Sequence, residues 1–236
     1  MKNLSLKGKL FKINQETFFV FKFSFVTSQP KFVIMDVKFL EKVADLFVVN
    51  GAKTLTMDDI AKEFGISKKT LYQKYTNKEA LLSDVLQFKL KEVIEKLNEL
   101  DIKIENAIER MFCRDEQIEK AVQTNRLLFI RQLIKYYPMI FNQHMMHFSE
   151  RFTEVIIHNI KRGREQGYYR DDFDEKLYGK MFFQLIMSYD SSPFFNTEEI
   201  DRTHFNNEAM KFFMYAITTE KGKNYLKNVV CKSETI

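Results

Sequence analysis

Residues 56–82 read TMDDIAKEFGISKKTLYQKYTNKEALL, and this stretch decides the fold. Thr56 is typical of a residue that caps a helix N-terminus, and Asp59 three positions later fits a capping box with Asp in place of the usual Glu. Gly65 then interrupts the helical pattern, and Ser67 is suited to cap a further helix. The stretch therefore predicts two short helices joined through a glycine, which is the arrangement of a helix-turn-helix.

A helix on each side completes the predicted domain. Upstream, apolar residues from Leu40 to Phe47 follow the i, i+3, i+4, i+7 spacing of one helix face, and Gly51 is suited to the left-handed position after the helix end. Downstream, Asn77 can cap a longer helix with apolar residues along one face. The sequence thus predicts a helix-turn-helix domain over residues 36–97, an arrangement that occurs in DNA-binding proteins and also in many proteins that do not bind DNA.

The positive charge of the chain is unevenly placed. The formal net charge is +5, and residues 1–34 alone carry six lysines against one glutamate, so the remainder is formally neutral. Within that neutral remainder, the stretch from Phe64 to Lys78 holds four lysines and no acidic residue. Lysines that neutralise phosphates supply most of the non-specific affinity for DNA. A solvated helix face has the same pattern, so the charge favours DNA binding without deciding it.

The stretch from Thr56 to Leu82 closely resembles the DNA-binding signature of the TetR (tetracycline repressor) family of transcriptional regulators. The resemblance lies in the threonine that opens the second helix, the AxxxGIS turn, the TLYxxY motif and the KExLL motif that starts the fourth helix. The segment Lys74-Tyr75-Thr76 departs from the commoner Tyr-aromatic-x pattern. The resemblance implies sequence-specific binding to a double-stranded DNA operator.

The resemblance also implies roles for particular residues. The expected phosphate contacts come from Thr56, Ser67, Tyr75 and Lys78. The groove-facing residues of the recognition helix are expected to be Lys68, Lys69, Thr70 and Tyr72, with Gln73 close by. Base-edge contacts are expected from Lys68, Lys69 and Tyr72, because lysine can pair with guanine and tyrosine can reach either base or phosphate.

The rest of the chain is predicted to be helical. The pattern predicts helices over roughly Ile102–Thr124, Asn125–Tyr136, Met139–Arg164, Phe173–Tyr189 and Thr203–Thr218. Residues 98–236 are similar in layout to the family's second domain, which binds small ligands and dimerises. We therefore expect an all-α protein with an N-terminal three-helix helix-turn-helix domain and a larger C-terminal helical ligand-binding and dimerisation domain.

The last two of these predicted helices carry apolar residues on more than one face. This suits packing against both the body of the subunit and a partner subunit, although the core of a monomer would show the same pattern. The resemblance implies a homodimer, and a two-fold symmetric protein implies a palindromic operator.

Aromatic and methionine residues cluster in the middle of the C-terminal part. The candidate lining of an apolar ligand cavity is Tyr136, Tyr137, Phe141, Met145, Phe148 and Phe152. Such a cluster is more often simply part of the core. His144 and His147 lie at i, i+3 without a carboxylate at ligand spacing, so we expect no metal site. No catalytic triad, Cys/His pair or glycine-rich phosphate loop is present in the sequence, and we expect neither enzymatic activity nor a cofactor.

Residues 1–34 form an uncertain N-terminal extension. The apolar run TFFVFKFSFV (residues 17–26) is interrupted by Lys22 and is too short to span a bilayer, which needs about 20 apolar residues. Either the extension packs on the body, or it is upstream sequence translated ahead of a true start at Met35. A helical pattern beginning after Met35 favours the second interpretation. Cys113 and Cys231 match no zinc or redox spacing and are expected to be thiols in a cytoplasmic protein.

Taken together, the sequence predicts a dimeric DNA-binding regulator. The family resemblance implies a repressor that a small apolar ligand releases from its operator. One alternative is a DNA-binding regulator without small-molecule input. The other is a helical ligand-binding or enzymatic protein in which the helix-turn-helix is vestigial.

Overall fold

The described part of the chain is almost entirely helical. The computed structural model of the protein describes residues 30–113, 126–195 and 199–233. Within these ranges there is no strand, and the one β-type pairing is an isolated antiparallel bridge between Tyr169 and Thr218. The predicted all-α class is confirmed.

Ten helices occur in the described ranges. In chain order they are α1 Pro30–Asn50, α2 Met57–Glu63, α3 Lys68–Lys74, α4 Lys78–Lys103, α5 Ala107–Phe112, α6 Arg126–Tyr136, α7 Pro138–Glu165, α8 Glu175–Ser191, α9 Arg202–Ile217 and α10 Glu220–Ser233.

The first helix begins earlier than the sequence predicted. The structure starts α1 at Pro30 rather than after Met35, so residues 30–34 of the N-terminal extension belong to a helix. Proline is favoured at the first helical position, where its fixed φ suits the helix and its missing N–H is not needed. The rest of the extension, residues 1–29, lies outside the described residues. Backbone contacts divide the chain into two units, Met1–Phe39 and Leu40–Ile236.

One prediction about the later helices was wrong. A helix was predicted to begin at Ile102, but α4 continues to Lys103 and the chain leaves helical geometry until Asn106. The Asn106 side chain accepts hydrogen bonds from the amides of Ile108 and Glu109 and so caps α5. Asn competes for backbone groups in this way and favours a cap over a helix interior. The predicted continuation over residues 114–125 lies outside the described residues.

No bounds were predicted for a helix after Thr218, although the rest of the chain was predicted to be helical. The structure has α10 there, with Leu226 fully buried in the core. Gly222 makes this packing close: a Cβ on Gly222 would lie 2.2 Å from the Tyr168 carbonyl oxygen.

The helix-turn-helix and the larger helical body each have a buried core. Val43 and Phe47 of α1, Ile60 of α2, Leu71 of α3 and Leu82 of α4 are almost completely buried and close the small core. The larger cluster joins α5, α7, α8, α9 and α10. Its members are Ala107, Ile108, Met111, Ile156, Ile160, Tyr169, Phe182, Phe213, Met214, Ile217 and Leu226. The long helix α4 begins in the first core and continues unbroken across the predicted boundary at residues 97 and 98 to the buried Leu100 and Asp101.

A buried ionic cluster ties α4, α5 and α7 together at the far end of α4. Asp101 accepts hydrogen bonds from His158 and from Arg162, the latter at 2.8 Å, and Arg110 Nε lies 3.6 Å from its other oxygen. Arg110 is itself buried and donates to the Leu97 carbonyl at 2.7 Å. Removing one partner of such a cluster would leave a buried charge uncompensated, which is strongly destabilising.

Candidate DNA-binding site

Helix α2 starts with the capping box that the sequence predicted. The Thr56 hydroxyl accepts a hydrogen bond from the Asp59 amide at 3.1 Å, and the Asp59 carboxylate accepts one from the Thr56 amide at 3.0 Å. The hydroxyl of Thr56 also donates to Asp59 at 2.6 Å, and these bonds hold the pKa of Asp59 below its usual value. The capping box is confirmed, and it fixes the start of α2.

The turn between α2 and α3 depends on Gly65. Gly65 has a φ of +62°, in the left-handed region that glycine adopts at little cost. The Ile66 amide reaches back to the Ala61 carbonyl at 3.0 Å and closes the turn. Ser67 then caps α3 by accepting a hydrogen bond from the Thr70 amide at 3.1 Å. The turn thus sets the direction of α3.

Helix α3 is held by one side chain and presents the others outward. Leu71 is 1% exposed and packs into the small core, whereas Tyr72 is 47% exposed. The other predicted groove-facing residues Lys68, Lys69, Thr70 and Gln73 are exposed as well. The Thr70 hydroxyl lies 2.8 Å from the Ser67 hydroxyl. An outward face of two lysines, two hydroxyls and an amide matches what base edges and phosphates can bind.

One of these lysines already has an acidic partner. The Lys68 ammonium forms a salt bridge with Asp58 in the first turn of α2, and both side chains are more than half exposed. The hydrogen bond to Asp58 raises the pKa of Lys68. An exposed ion pair of this kind contributes little to stability and is easily exchanged for another partner. Lys68 can therefore leave Asp58 for a DNA acceptor at small cost.

Two of the predicted phosphate-contacting residues are wholly or partly buried. Tyr75 is 6% exposed, so its ring belongs to the core of the helix-turn-helix. Lys78 is half-buried at the start of α4, and its amine donates to the Lys53 carbonyl at 3.1 Å. Burial lowers the pKa of Lys78. Asn77 caps α4 as expected, by accepting from the Ala80 amide at 2.8 Å.

Residues 39–85 match the family described as bacterial regulatory proteins, tetR family. This part of the chain is similar to the DNA-binding domain of tetR-family regulators. The matched residues contain α2, α3 and the first turns of α4, which are the elements that build the outward face described above. The match over the helix-turn-helix supports DNA-binding transcriptional regulation.

Solved structures share the TetR-type fold over most of the chain. A transcriptional regulator from Cytophaga hutchinsonii has a TM-score of 0.64 at 14% identity, covering 77% of this chain and 97% of that one. A regulator from Saccharomonospora viridis in complex with choline has a TM-score of 0.62 at 19% identity, covering 77% and 96%. FadR from Bacillus subtilis, in complex with stearoyl-CoA, has a TM-score of 0.51 at 19% identity, covering 75% and 96%. No curated protein matches the chain.

Helix α6 contacts the helix-turn-helix from outside, and the sequence predicted this helix but not its contacts. The Gln132 carboxamide oxygen accepts a hydrogen bond from the Lys53 amide at 2.7 Å, across 79 residues of sequence. The Lys53 ammonium lies 4.4 Å from the centre of the Tyr136 ring. The rings of Phe47 and Phe129 stack at 5.8 Å. No sequence signal marks these pairs, because each joins residues that only the tertiary fold brings together.

The predicted ligand-pocket residues are spread over two different surroundings. Tyr136 lies against Lys53, and Tyr137 precedes α7 with its ring 5.9 Å from the Lys78 amine. Phe148 and Phe152 instead pack on Phe183 at 5.9 and 5.5 Å between ring centres. Phe141 is buried and Met145 is half-buried. Their contacts thus place Tyr136 and Tyr137 beside the helix-turn-helix, and Phe148 and Phe152 beside α8.

Two cavities of the described structure lie beside the buried ionic cluster instead. One, of about 140 Å³, is lined by Ile94, Asn98, Asp101, Arg151, Glu154, Val155 and His158. The other, of about 390 Å³, shares Asp101 and His158 and is bordered by Arg162 and Gln166. Among the described residues, no group of three or more His, Cys, Asp or Glu side chains is arranged to hold a metal ion. Of the helices in the described ranges, none is long and apolar enough to cross a membrane.

Proposed function

We propose that the protein is a dimeric repressor that inserts α3 into the major groove of a palindromic operator. The observation that carries this proposal is the outward face of α3, where Lys68, Lys69 and Tyr72 are exposed on a helix anchored by Leu71. Recognition helices contact base edges through residues near the N-terminal end. A repressor then acts by occupying DNA that the transcription machinery needs.

Phosphate contacts in this proposal come from the caps and flanks of the same helices. Thr56 and Ser67 lie at the N-termini of α2 and α3, where free backbone N–H groups and the helix dipole favour an anion. Lys78 at the start of α4 keeps two of its three N–H donors for a phosphate after donating one to Lys53. The ring of Tyr75 is buried in the core, so its role in this proposal is to stabilise the domain.

Dimerisation in this proposal uses the apolar faces of α8 and α9. Leu177 and Met181 of α8 are 55% and 57% exposed, and Phe212 of α9 is 72% exposed. Phe182 and Phe213, the next residues in each helix, stack at 4.2 Å in the core. The two helices therefore pack together with one face and leave a second apolar face in solvent. Exposed apolar patches of this kind mark interaction sites.

Release by a small apolar or amphipathic ligand completes the proposal. It is supported by similar folds that have been solved with choline and with stearoyl-CoA. A ligand shifts the DNA-binding equilibrium only if it binds one conformation more tightly than the other. A regulator without small-molecule input is a second candidate, favoured by the packing of Phe148 and Phe152 on Phe183, which fills part of the expected pocket.

The experiment that tests the proposed function is selection of duplexes from a random library by the full-length protein, followed by footprinting of the selected duplex. We expect an inverted repeat protected over both halves, and a strong decrease of affinity with salt. Failure to enrich any sequence would refute the operator-binding proposal. Lipophilic compounds are then screened by thermal shift and for release of the selected duplex. Absence of any releasing compound in a broad screen favours the second candidate.

A further inference from the structure

We propose that Gln132 is a positioning residue for DNA binding, although it lies on α6 and outside the helix-turn-helix. The inference rests on the proposed function, because it concerns how Lys78 is placed for a phosphate contact. The starting observation is the hydrogen bond of 2.7 Å that the Gln132 carboxamide oxygen accepts from the Lys53 amide. Lys53 lies in the turn between α1 and α2.

Lys53 also contacts the start of α4. Its carbonyl oxygen accepts a hydrogen bond from the Lys78 amine at 3.1 Å, and its ammonium lies 4.4 Å from the Tyr136 ring centre. All three polar groups of Lys53 are thus engaged, the amide and the ammonium by α6 and the carbonyl by α4. The amide and the carbonyl of Lys53 lie in adjacent peptide planes that only its φ and ψ separate, so holding both the amide and the side chain of Lys53 on α6 restricts the direction of its carbonyl. Gln132 therefore sets where the Lys78 amine lies.

The approach of Gln132 requires the glycine at position 51. Gly51 has a φ of +81°, and a Cβ there would lie 2.5 Å from the Gln132 amide nitrogen and 2.7 Å from its oxygen. The carboxamide occupies the space that a side chain at position 51 would take. One turn away on α6, the Phe129 ring stacks on Phe47 of α1 at 5.8 Å. The end of α1 and the turn that follows it are thus held on α6 at two levels.

The expected consequence for DNA binding concerns one positive charge, that of Lys78. Lys78 donates to Lys53 and retains two N–H donors, so it can hold a phosphate without leaving its anchor. If the turn loses its contact with Gln132, the Lys53 carbonyl is no longer fixed and the Lys78 amine is no longer directed. An uncharged substitution that does not touch DNA should then remove one phosphate contact per subunit.

The test compares Gln132→Met, Lys78→Ala and the double variant, each as the full-length chain, with the selected duplex at several salt concentrations. Gln132→Met removes the acceptor at nearly unchanged volume on a partly exposed helix position. The matched control is Gln143→Met, because Gln143 is exposed on α7. We expect Gln132→Met to weaken binding about tenfold and to reduce the salt slope by about one per subunit, as Lys78→Ala does. The double variant should be no weaker than Lys78→Ala alone.

Each other outcome overturns the inference in a recognisable way. Weaker binding of Gln132→Met with an unchanged salt slope would show a general structural role, as would effects that add in the double variant. Wild-type binding by Gln132→Met and by a second variant, Gln132→Ala, would show that the contact does not matter. If the Lys78→Ala slope equals that of the wild type, the proposed phosphate contact itself is wrong. If the wild-type protein selects no duplex, the proposed function fails first.

Discussion

At the scale of single residues, Lys68 of the proposed recognition helix α3 forms a salt bridge with Asp58 of α2. The two side chains are paired while both remain largely exposed. The pair costs little to break in water, so DNA can replace Asp58 as the partner of Lys68. A carboxylate so near the DNA-facing side also repels phosphates. We therefore expect Asp58 to oppose binding to DNA of any sequence.

Asp58→Asn is therefore expected to increase DNA affinity. The substitution removes one negative charge and releases Lys68, so binding to random duplexes should tighten several-fold at low salt, and less at high salt where exposed charges are screened. Loss of a favourable first-turn carboxylate should lower the free energy of unfolding by about 0.3–1 kcal/mol. The measurements are titrations of random and selected duplexes, with Asp45→Asn on α1 as the exposed control. Equal affinities of Asp58→Asn and wild type would show that the carboxylate does not face the DNA.

The roles of Lys68, Leu71 and Tyr72 should separate under substitution. Lys68→Ala and Tyr72→Ala should each cost about 1–3 kcal/mol at particular base pairs of the selected duplex and relax specificity there. Leu71→Ala should instead destabilise the folded protein by about 2–5 kcal/mol, because Leu71 is fully buried. Binding to single-base variants of the duplex measures the first effect, and thermal unfolding measures the second. Unchanged binding of both outward variants would exclude α3 as the recognition helix.

At the scale of helices, the sequence predicted those features that depend only on residues close to one another along the chain. The caps at Thr56, Ser67 and Asn77 and the glycine turn at Gly65 were predictable, since each depends on residues within a few positions. The break at Asn106 was missed because its neighbours are apolar and helix-prone. The contact of Gln132 with Lys53 had no sequence signal at all. It depends on the packing of α6, which apolar periodicity does not locate.

The bounds of helix α10 were missed for a different reason. Its sequence EKGKNYLKNVVCKS contains Gly222 and several polar residues, which weaken the helical pattern. Yet Tyr225, Leu226 and Val229 lie at the i, i+1, i+4 spacing of one face and pack on the large core. The glycine that weakens the pattern is required by the close approach of Tyr168. Tertiary packing thus overrides local propensity at this position.

The contact between α4 and α7 predicts a pH dependence. The His144 ring lies 2.7 Å from the Ser83 hydroxyl, and burial and His147 lower the pKa of His144 while Asp84 opposes them. The folded state therefore favours neutral His144. Its contribution to stability is present above the unfolded histidine pKa of about 6.5 and is lost as pH falls below it.

His144→Gln should remove this dependence. As the pH falls from about 7.5 to about 5.5, the free energy of unfolding should decrease more for the wild type than for the variant. The reason is that only the wild type has a His144 side chain that binds a proton when the protein unfolds. Chemical unfolding curves at both pH values give the comparison. His204→Gln on α9 serves as the control, because this histidine is exposed. Parallel losses in wild type and His144→Gln would show that His144 does not titrate across the transition.

At the scale of the whole molecule, the proposed dimer and the proposed operator must share one symmetry. An isologous interface uses the same surface of both subunits, so the two recognition helices are related by a two-fold axis. The DNA then has to present two half-sites about one helical turn, roughly 34–36 Å, apart or at a multiple of that distance. The exposed apolar faces of α8 and α9 are therefore expected to affect DNA binding although they lie outside the helix-turn-helix.

Charged substitutions on those faces test this link. Met181→Glu and Phe212→Glu place a carboxylate where the subunits are proposed to meet, and burying an unpaired charge is costly. We expect both variants to be monomeric in light scattering, to keep their helical content, and to bind the selected duplex at least tenfold more weakly. Met139→Glu, at a position that is 82% exposed on α7, is the matched control.

The two interface variants should lose far less affinity for a single half-site than for the full palindrome, because one subunit binds a half-site alone. If Met181→Glu and Phe212→Glu remain dimeric, the interface lies on another surface. If they are monomeric and still bind the full palindrome tightly, operator recognition does not depend on dimerisation.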